Sequence, residues 1–241
     1  MSKRTRIGLL TPSSNTVLEP LSYRIVENLP EVTVHFARFT VLKIALSDDA
    51  LAQFDNTKII EAAKLLADAN VDVIGWSGTS AGWLGFSADE KLCADITTAT
   101  GIPTTTSTLG LNKLITKLNI KNLSLLTPYT DDVQSAIIQN YATLGVTCTR
   151  ERHLRQSHNA GFAEITEEVL TNQLKELVDE GAKFVSVYCT GLKAAHLVAD
   201  WEKRYDIVVL DTVATVIWDA LLLAGIDVRR VKGWGQIFQC T

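Results

Sequence analysis

Cys189 stands at the end of an apolar run in the stretch VSVYCTGLKAA, residues 185–195, with Thr190 and Gly191 directly behind it. A sulfur held at the mouth of a sheet can do two things. As a thiol it can hand a proton to a carbanion; as a thiolate it can attack carbon. A helix start behind it would favour the thiolate and apolar surroundings the thiol, so the sequence leaves its protonation open. Three further turns carry small or polar residues at comparable places: 12–15 with Ser14 and Asn15, 78–80 reading Gly78-Thr79-Ser80, and 128–130 with Tyr129. Backbone N–H groups in such turns suit an anion, and a carboxylate uses the same donors as a phosphate. The glycine spacing of SGTSAGWLG (77–85) is not that of a nucleotide loop.

These turns need strands to aim them. Short apolar runs alternate with stretches of helical period, the pattern of an α/β protein with mainly parallel strands. The periodicity predicts strands near 5–11, 33–40, 71–77, 102–106, 122–127, 145–150, 183–188 and 206–210. Helices are predicted near 15–28, 57–69, 87–99, 108–117, 131–143, 165–180, 192–203 and 213–224. Segments 41–56 and 151–163 lack clear period and read as binding loops or lids.

The chain also repeats itself. IGLLTPSSNTVLEP (7–20) is similar to LSLLTPYTDDVQSA (123–136), and VDVIGWSGTSAG (71–82) to AKFVSVYCTGLK (182–193). Two similar α/β halves follow. Ligands of open α/β sheets bind at the carboxyl ends of the strands, so a site between the halves would be lined by all four turns. In this alignment Cys189 falls opposite Gly78, and Thr190 opposite Thr79. Two facing cysteines would form a two-base proton shuttle, but this chain has one.

Composition narrows the partners. The 241 residues are 46% hydrophobic with net charge −4, enough apolar matter for a large core and no basic patch for nucleic acid or an anionic membrane. No run is long enough to span a bilayer, and the opening MSKRTRIGLL lacks the form of a secretory signal, so a cytoplasmic protein is expected. Cys93, Cys148 and Cys240, in a predicted helix, a predicted strand and the tail, form no C-x-x-C pair with each other or with Cys189, so no metal site is expected. His196 falls on a helix facing away from the Cys189 turn, which disfavours a Cys/His protease pair. His153 and His158 read as solvated loop residues, and Asp131, Asp132 and Asp211 as helix caps. The apolar helices leave room for a homo-oligomer.

Taken in order, PSSNT (12–16), GTS (78–80), ATGIPTTTST (99–108), TPYTDDV (127–133), YCTG (188–191) and GWGQIF (233–238) resemble the aspartate/glutamate racemase superfamily, above all its maleate cis-trans isomerase and arylmalonate decarboxylase branches. The resemblance implies an α/β fold of two pseudo-symmetric domains. Each would hold a mainly parallel four-stranded sheet flanked by helices, and the active site in the cleft between them would need no cofactor. The domains would be 1–112 with 213–241, and 113–212. It also implies that Asn15, Tyr129 and Asn159 hold a small dicarboxylate substrate, and that Cys189 is the catalytic residue. The isomerase's first cysteine is replaced here by Gly78, as in the decarboxylases. Tyr188 and Thr190, by contrast, depart from the decarboxylase Ser-Cys-Gly-Gly setting, and PSSNT belongs to the isomerases.

Chemistry of this kind passes through an enediolate whose oxygens gain negative charge. Hydroxyls of Thr79, Ser80 and Tyr129 and backbone N–H groups could donate to them, each donor being worth roughly 2.7–4 kcal/mol in the barrier. Neutral donors suit a carboxylate that leaves as CO2, since a tight cationic clamp would stabilise the ground state instead. Trp76, Trp83 and Leu84 are expected to wall that carboxylate. Three functions stay open: decarboxylation of a 2-substituted malonate with Cys189 as proton donor; isomerisation or racemisation, for which a cysteine placed at 78 should add proton exchange; and non-catalytic carboxylate binding.

Overall fold

A computed structural model describes residues 4–51, 53 and 56–241. Met1 to Lys3 of the opening, and Ala52, Phe54 and Asp55 of the expected 41–56 loop, lie outside the described residues.

The first sheet holds β1 (Thr5–Pro12), β2 (Val32–Phe39), β3 (Val73–Trp76) and β4 (Thr104–Thr106) in the order β2-β1-β3-β4, all parallel. The second holds β5 (Ser124–Thr127), β6 (Glu151–His153), β7 (Phe184–Val187) and β8 (Val208–Asp211) in the order β6-β5-β7-β8, again all parallel. The two orders are the same pattern twice, which is the pseudo-symmetry that the repeats imply. The inner strands β1, β3, β5 and β7 are buried almost end to end, because helices cover both faces of a parallel sheet.

Helices α1 (Leu18–Ile25), α2 (Asp48–Leu51), α3 (Asn56–Asp68), α4 (Ala81–Leu84), α5 (Phe86–Thr100) and α6 (Ser107–Lys117) accompany the first sheet; α7 (Asp131–Thr143), α8 (Glu167–Asp179) and α9 (Val198–Tyr205) accompany the second. Helix α10 (Thr212–Leu223) follows β8 yet packs on α6, β3 and β4 of the first half. Side-chain caps set several starts: Thr106 for α6, Thr166 for α8 and Asp211 for α10. No described helix is long and apolar enough to cross a membrane.

Three elements differ from expectation. The strand expected at 145–150 lies at Glu151–His153, and Cys148 precedes it as a buried residue outside any strand. β6 is a polar, half-buried edge strand fastened by Arg152 to Glu176 and Glu180, so a search for apolar runs finds Val146 to Cys148 instead. Helix α9 starts at Val198 rather than 192, after a 3-10 turn Ala195–Leu197, so Cys189 does not sit at a helix N-terminus. A short helix, α4, separates the 78–80 turn from α5, the break falling at Gly85 with φ +98°.

Asp89 of α5 is buried and accepts a hydrogen bond from Thr106 Oγ1 at 2.5 Å. Burial raises its pKa from 3.8 to about 7, and burial raises that of Asp211 likewise to about 7. A carboxyl whose folded pKa exceeds its unfolded one stabilises the fold below the unfolded value, and that contribution is lost as pH rises through the folded value. Stability should therefore fall between about pH 4 and pH 7 on account of these two groups, by an amount on the order of a few kcal/mol each, and the melting temperature should fall with it. Asp89→Asn should flatten the profile measured by thermal denaturation; an unchanged slope would mean that Asp89 is ionised throughout.

Candidate active site

The four turns meet. Strands β1, β3, β5 and β7 end at Pro12, Trp76, Thr127 and Val187, and the residues just beyond enclose one small cavity between the sheets. Of the residues expected from sequence, Gly78, Thr79, Ser80, Tyr129, Asn159, Cys189 and Thr190 line it. Pro12, Val41, Ile44, Trp76 and Trp83 complete the wall, and the space enclosed is about 20 Å³. Every lining residue is neutral, with no Lys, Arg or His among those described. A wider recess of about 320 Å³ beside α1, lined in part by Arg24, Glu167, Lys193 and His196, holds none of the expected site residues.

Ser14, Asn15 and Gly191 stand one step behind the wall. Asn15 Oδ1 accepts from the N–H groups of Val17 and Leu18, both at 2.9 Å, and its Nδ2 donates to Thr190 O at 3.0 Å. Ser14 Oγ donates to Val41 O at 2.7 Å and accepts from Asn159 Nδ2 at 2.8 Å. Arg38 Nη1 fixes the same turn through Ser13 O and Asn15 O, each at 2.9 Å. The side chain of Asn15 is thus engaged in joining the halves. Thr190 Oγ1 adds a bond to Ser77 O at 3.1 Å, and the Thr79 and Tyr129 hydroxyls meet at 2.7 Å. The two loops without period also join: Asn159 N donates to Leu42 O and Ile44 N to Ser157 O.

Cys189 is 3% exposed. Burial pushes its thiol up to about 11, while the nearby Tyr129 hydroxyl and the Gly191 N–H, 3.3 Å from Sγ, pull the other way. The negative charge of Asp211 also opposes a thiolate. Burial therefore favours the thiol over the thiolate at neutral pH. Tyr129, 2% exposed, has its pKa raised well above the ordinary value by burial, so it remains a neutral donor. Its ring is packed edge-on by Trp83 and Phe162, at centroid distances of 5.3 and 5.8 Å.

The substitution that the isomerase reading invited at Gly78 meets the Trp76 ring. A Cβ built there would lie 2.0 Å from Cζ2 of Trp76, so Gly78→Cys alone cannot be seated without moving that ring. Leu84, expected in the apolar wall, is 41% exposed and outside it, because α4 turns it to solvent. His153 is not solvated: its ring lies between Asp131 (2.5 Å) and Glu151 (2.6 Å). Burial alone would lower its pKa, but these two carboxylates raise it overall. His158 is exposed, as expected, and His196 bonds Glu167 at 2.8 Å, away from the cavity. Asp211 Oδ1 caps α10 through Val213 N and Ala214 N. Val41 and Ile44 were beyond sequence reasoning, since an aperiodic loop gives no sign of which of its apolar residues turn inward.

Comparison with known proteins agrees with this fold. Arylmalonate decarboxylase from Bordetella bronchiseptica is 22% identical over 235 residues, 96% of this chain and 95% of that protein. Among solved structures, maleate isomerase from Pseudomonas putida S16, with maleate, has a TM-score of 0.89 at 21% identity and 99% coverage of both chains. Maleate cis-trans isomerase from Nocardia farcinica, in a variant with a covalently bound succinylcysteine intermediate, gives 0.88 at 20% identity, covering 97% of this chain and 98% of that one. An arylmalonate decarboxylase structure gives 0.78 at 20% identity, covering 98% and 100%. The fold is that of the Asp/Glu racemase superfamily. The family model described as arylmalonate decarboxylase matches residues 20–238, nearly the whole of both halves, and the chain belongs to that family.

Proposed function

We propose that the protein decarboxylates a small 2-substituted malonate, holding the diacid between domains 1–112 with 213–241 and 113–212, with Cys189 as the proton donor. Family membership makes it an enzyme, a cofactor-independent lyase or isomerase acting on a small dicarboxylic acid, so the alternative of a non-catalytic binder falls away. The observation that carries the finer reading is a lone buried thiol, protonated at neutral pH, lining a cavity whose other polar groups are all neutral.

In the reaction the bond from the α-carbon to one carboxylate breaks, CO2 leaves, and the electron pair spreads over the remaining carboxylate as an enediolate. Thr79, Ser80 and Tyr129 would donate to its oxygens. A thiol whose pKa is about 11 is a far stronger acid than the α-carbon, so its proton passes to that carbon and the thiolate regains one from solvent. The balance is one proton consumed and one CO2 released per diacid. Since the thiol stands on one side only, a 2,2-disubstituted substrate should give a single enantiomer.

The test is to follow CO2 release and product NMR in D2O over a panel of substituted malonates. One deuterium at the α-carbon with stoichiometric CO2 is expected. Conversion of maleate to fumarate with no CO2 would instead favour cis-trans isomerisation, the second reading, for which the PSSNT turn speaks.

A further inference from the structure

Building on the one-thiol decarboxylase reading, we infer that Trp76 is a specificity-determining residue: it restricts the substrate to malonates with a small α-substituent and donates its indole N–H to a substrate carboxylate. Trp76 ends β3 and is 1% exposed, tilted against Phe39 at a centroid distance of 4.9 Å. Its ring fills the place that a side chain at residue 78 would take: Cζ2, Cε2 and Cη2 lie 2.0, 2.3 and 2.6 Å from a Cβ built on Gly78. Gly78 is the counterpart of Cys189 in the repeat, and Trp76, Gly78 and Cys189 all line the cavity. The indole therefore stands on the face opposite the thiol, where a two-base enzyme would need its second base.

This ring is one wall of a small cavity. About 20 Å³ is room for roughly one water, so a diacid must enter by parting the halves. Parting them does not relieve the face at Gly78. Trp76 and Gly78 belong to the same strand end and travel together, so an aryl group on that face would meet the indole in the open and closed forms alike.

The second observation is the ring nitrogen. Trp76 Nε1 is buried with no hydrogen-bond partner among the described residues. It is bonded to Cε2, the atom 2.3 Å from the Gly78 Cβ position, so the N–H leaves the ring beside the turn that lines the cavity. A buried unpaired donor is costly, and a substrate carboxylate is the acceptor that would satisfy it.

The test compares the parent with Trp76→Ala and Trp76→Phe on methylmalonate and phenylmalonate, measuring kcat/KM by CO2 release and binding of both acids by thermal shift. The parent should prefer methylmalonate. Trp76→Ala should shift the methyl-to-phenyl ratio by about tenfold or more toward phenyl, the scale on which a pocket discriminates by size. Trp76→Phe removes the N–H together with the outer part of the indole that lies against Gly78, and should raise KM for methylmalonate by about tenfold with kcat little changed. A ratio within about twofold of the parent in Trp76→Ala, by turnover and by binding, would overturn the assignment of substrate size. An unchanged KM in Trp76→Phe would overturn the donor role. If the parent releases CO2 from no malonate, the decarboxylase reading fails, while the thermal-shift ratio still tests Trp76.

Discussion

Cys189→Ser is expected to lower kcat for malonate decarboxylation by about 10²–10⁴-fold, the usual contribution of a positioned acid, while the melting temperature moves little. Serine fits the space of the thiol and can still accept from Gly191 N, which lies 3.3 Å from Sγ, but its hydroxyl is a poorer acid. The enediolate would still form and would wait for a proton from water. Loss of the single enantiomer from a 2,2-disubstituted malonate should accompany the loss of rate, because water can reach either face. Two further readings follow from burial. With the thiol pKa near 11, the basic limb of the kcat profile assigned to Cys189 should lie above pH 9, and iodoacetamide should label the residue slowly at pH 7.5. A wild-type rate in Cys189→Ser, with Cys189→Ala equally active, would remove this residue from the mechanism.

How much of this was legible beforehand depends on what each feature needs. The inner strands end in repeated Thr-Pro and small-residue turns, and continuous burial writes them as apolar runs, so their carboxyl ends were placed correctly. That placement brings Thr79, Tyr129, Cys189 and Thr190 to one cavity. Edge strand β6 escapes a search for apolar runs because its residues Glu151, Arg152 and His153 are held by ion pairs rather than apolar burial. The start of α9 is not legible, because Leu192, Lys193 and Ala194 favour helix in isolation, whereas here they form turns on the Cys189 carbonyl and on Leu192. Trp76 was expected only as apolar wall. That its ring occupies the place of a side chain at 78 is a fact of three-dimensional packing, and no spacing along the chain reports it.

Tyr129→Phe tests the other half of the mechanism, the stabilisation of charge. The phenol is fully enclosed, holds a 2.7 Å bond with Thr79 Oγ1, and sits beside the Cys189 thiol. Removing its hydroxyl deletes one neutral donor from a water-poor cavity, which typically costs about 10²–10³ in kcat, or about 2.7–4 kcal/mol. KM should change little if the donor acts mainly on the charge that develops in the transition state. The same substitution removes a group that lowers the thiol pKa, so in Tyr129→Phe the basic limb assigned to Cys189 should move to higher pH. The Thr79 hydroxyl loses its partner across the cleft, so Thr79→Val combined with Tyr129→Phe should cost less than the two singles multiplied, since the pair acts as one unit. Full additivity in that double-mutant cycle, or a loss confined to KM, would mean that the phenol merely shapes the cavity and that other groups carry the charge of the enediolate.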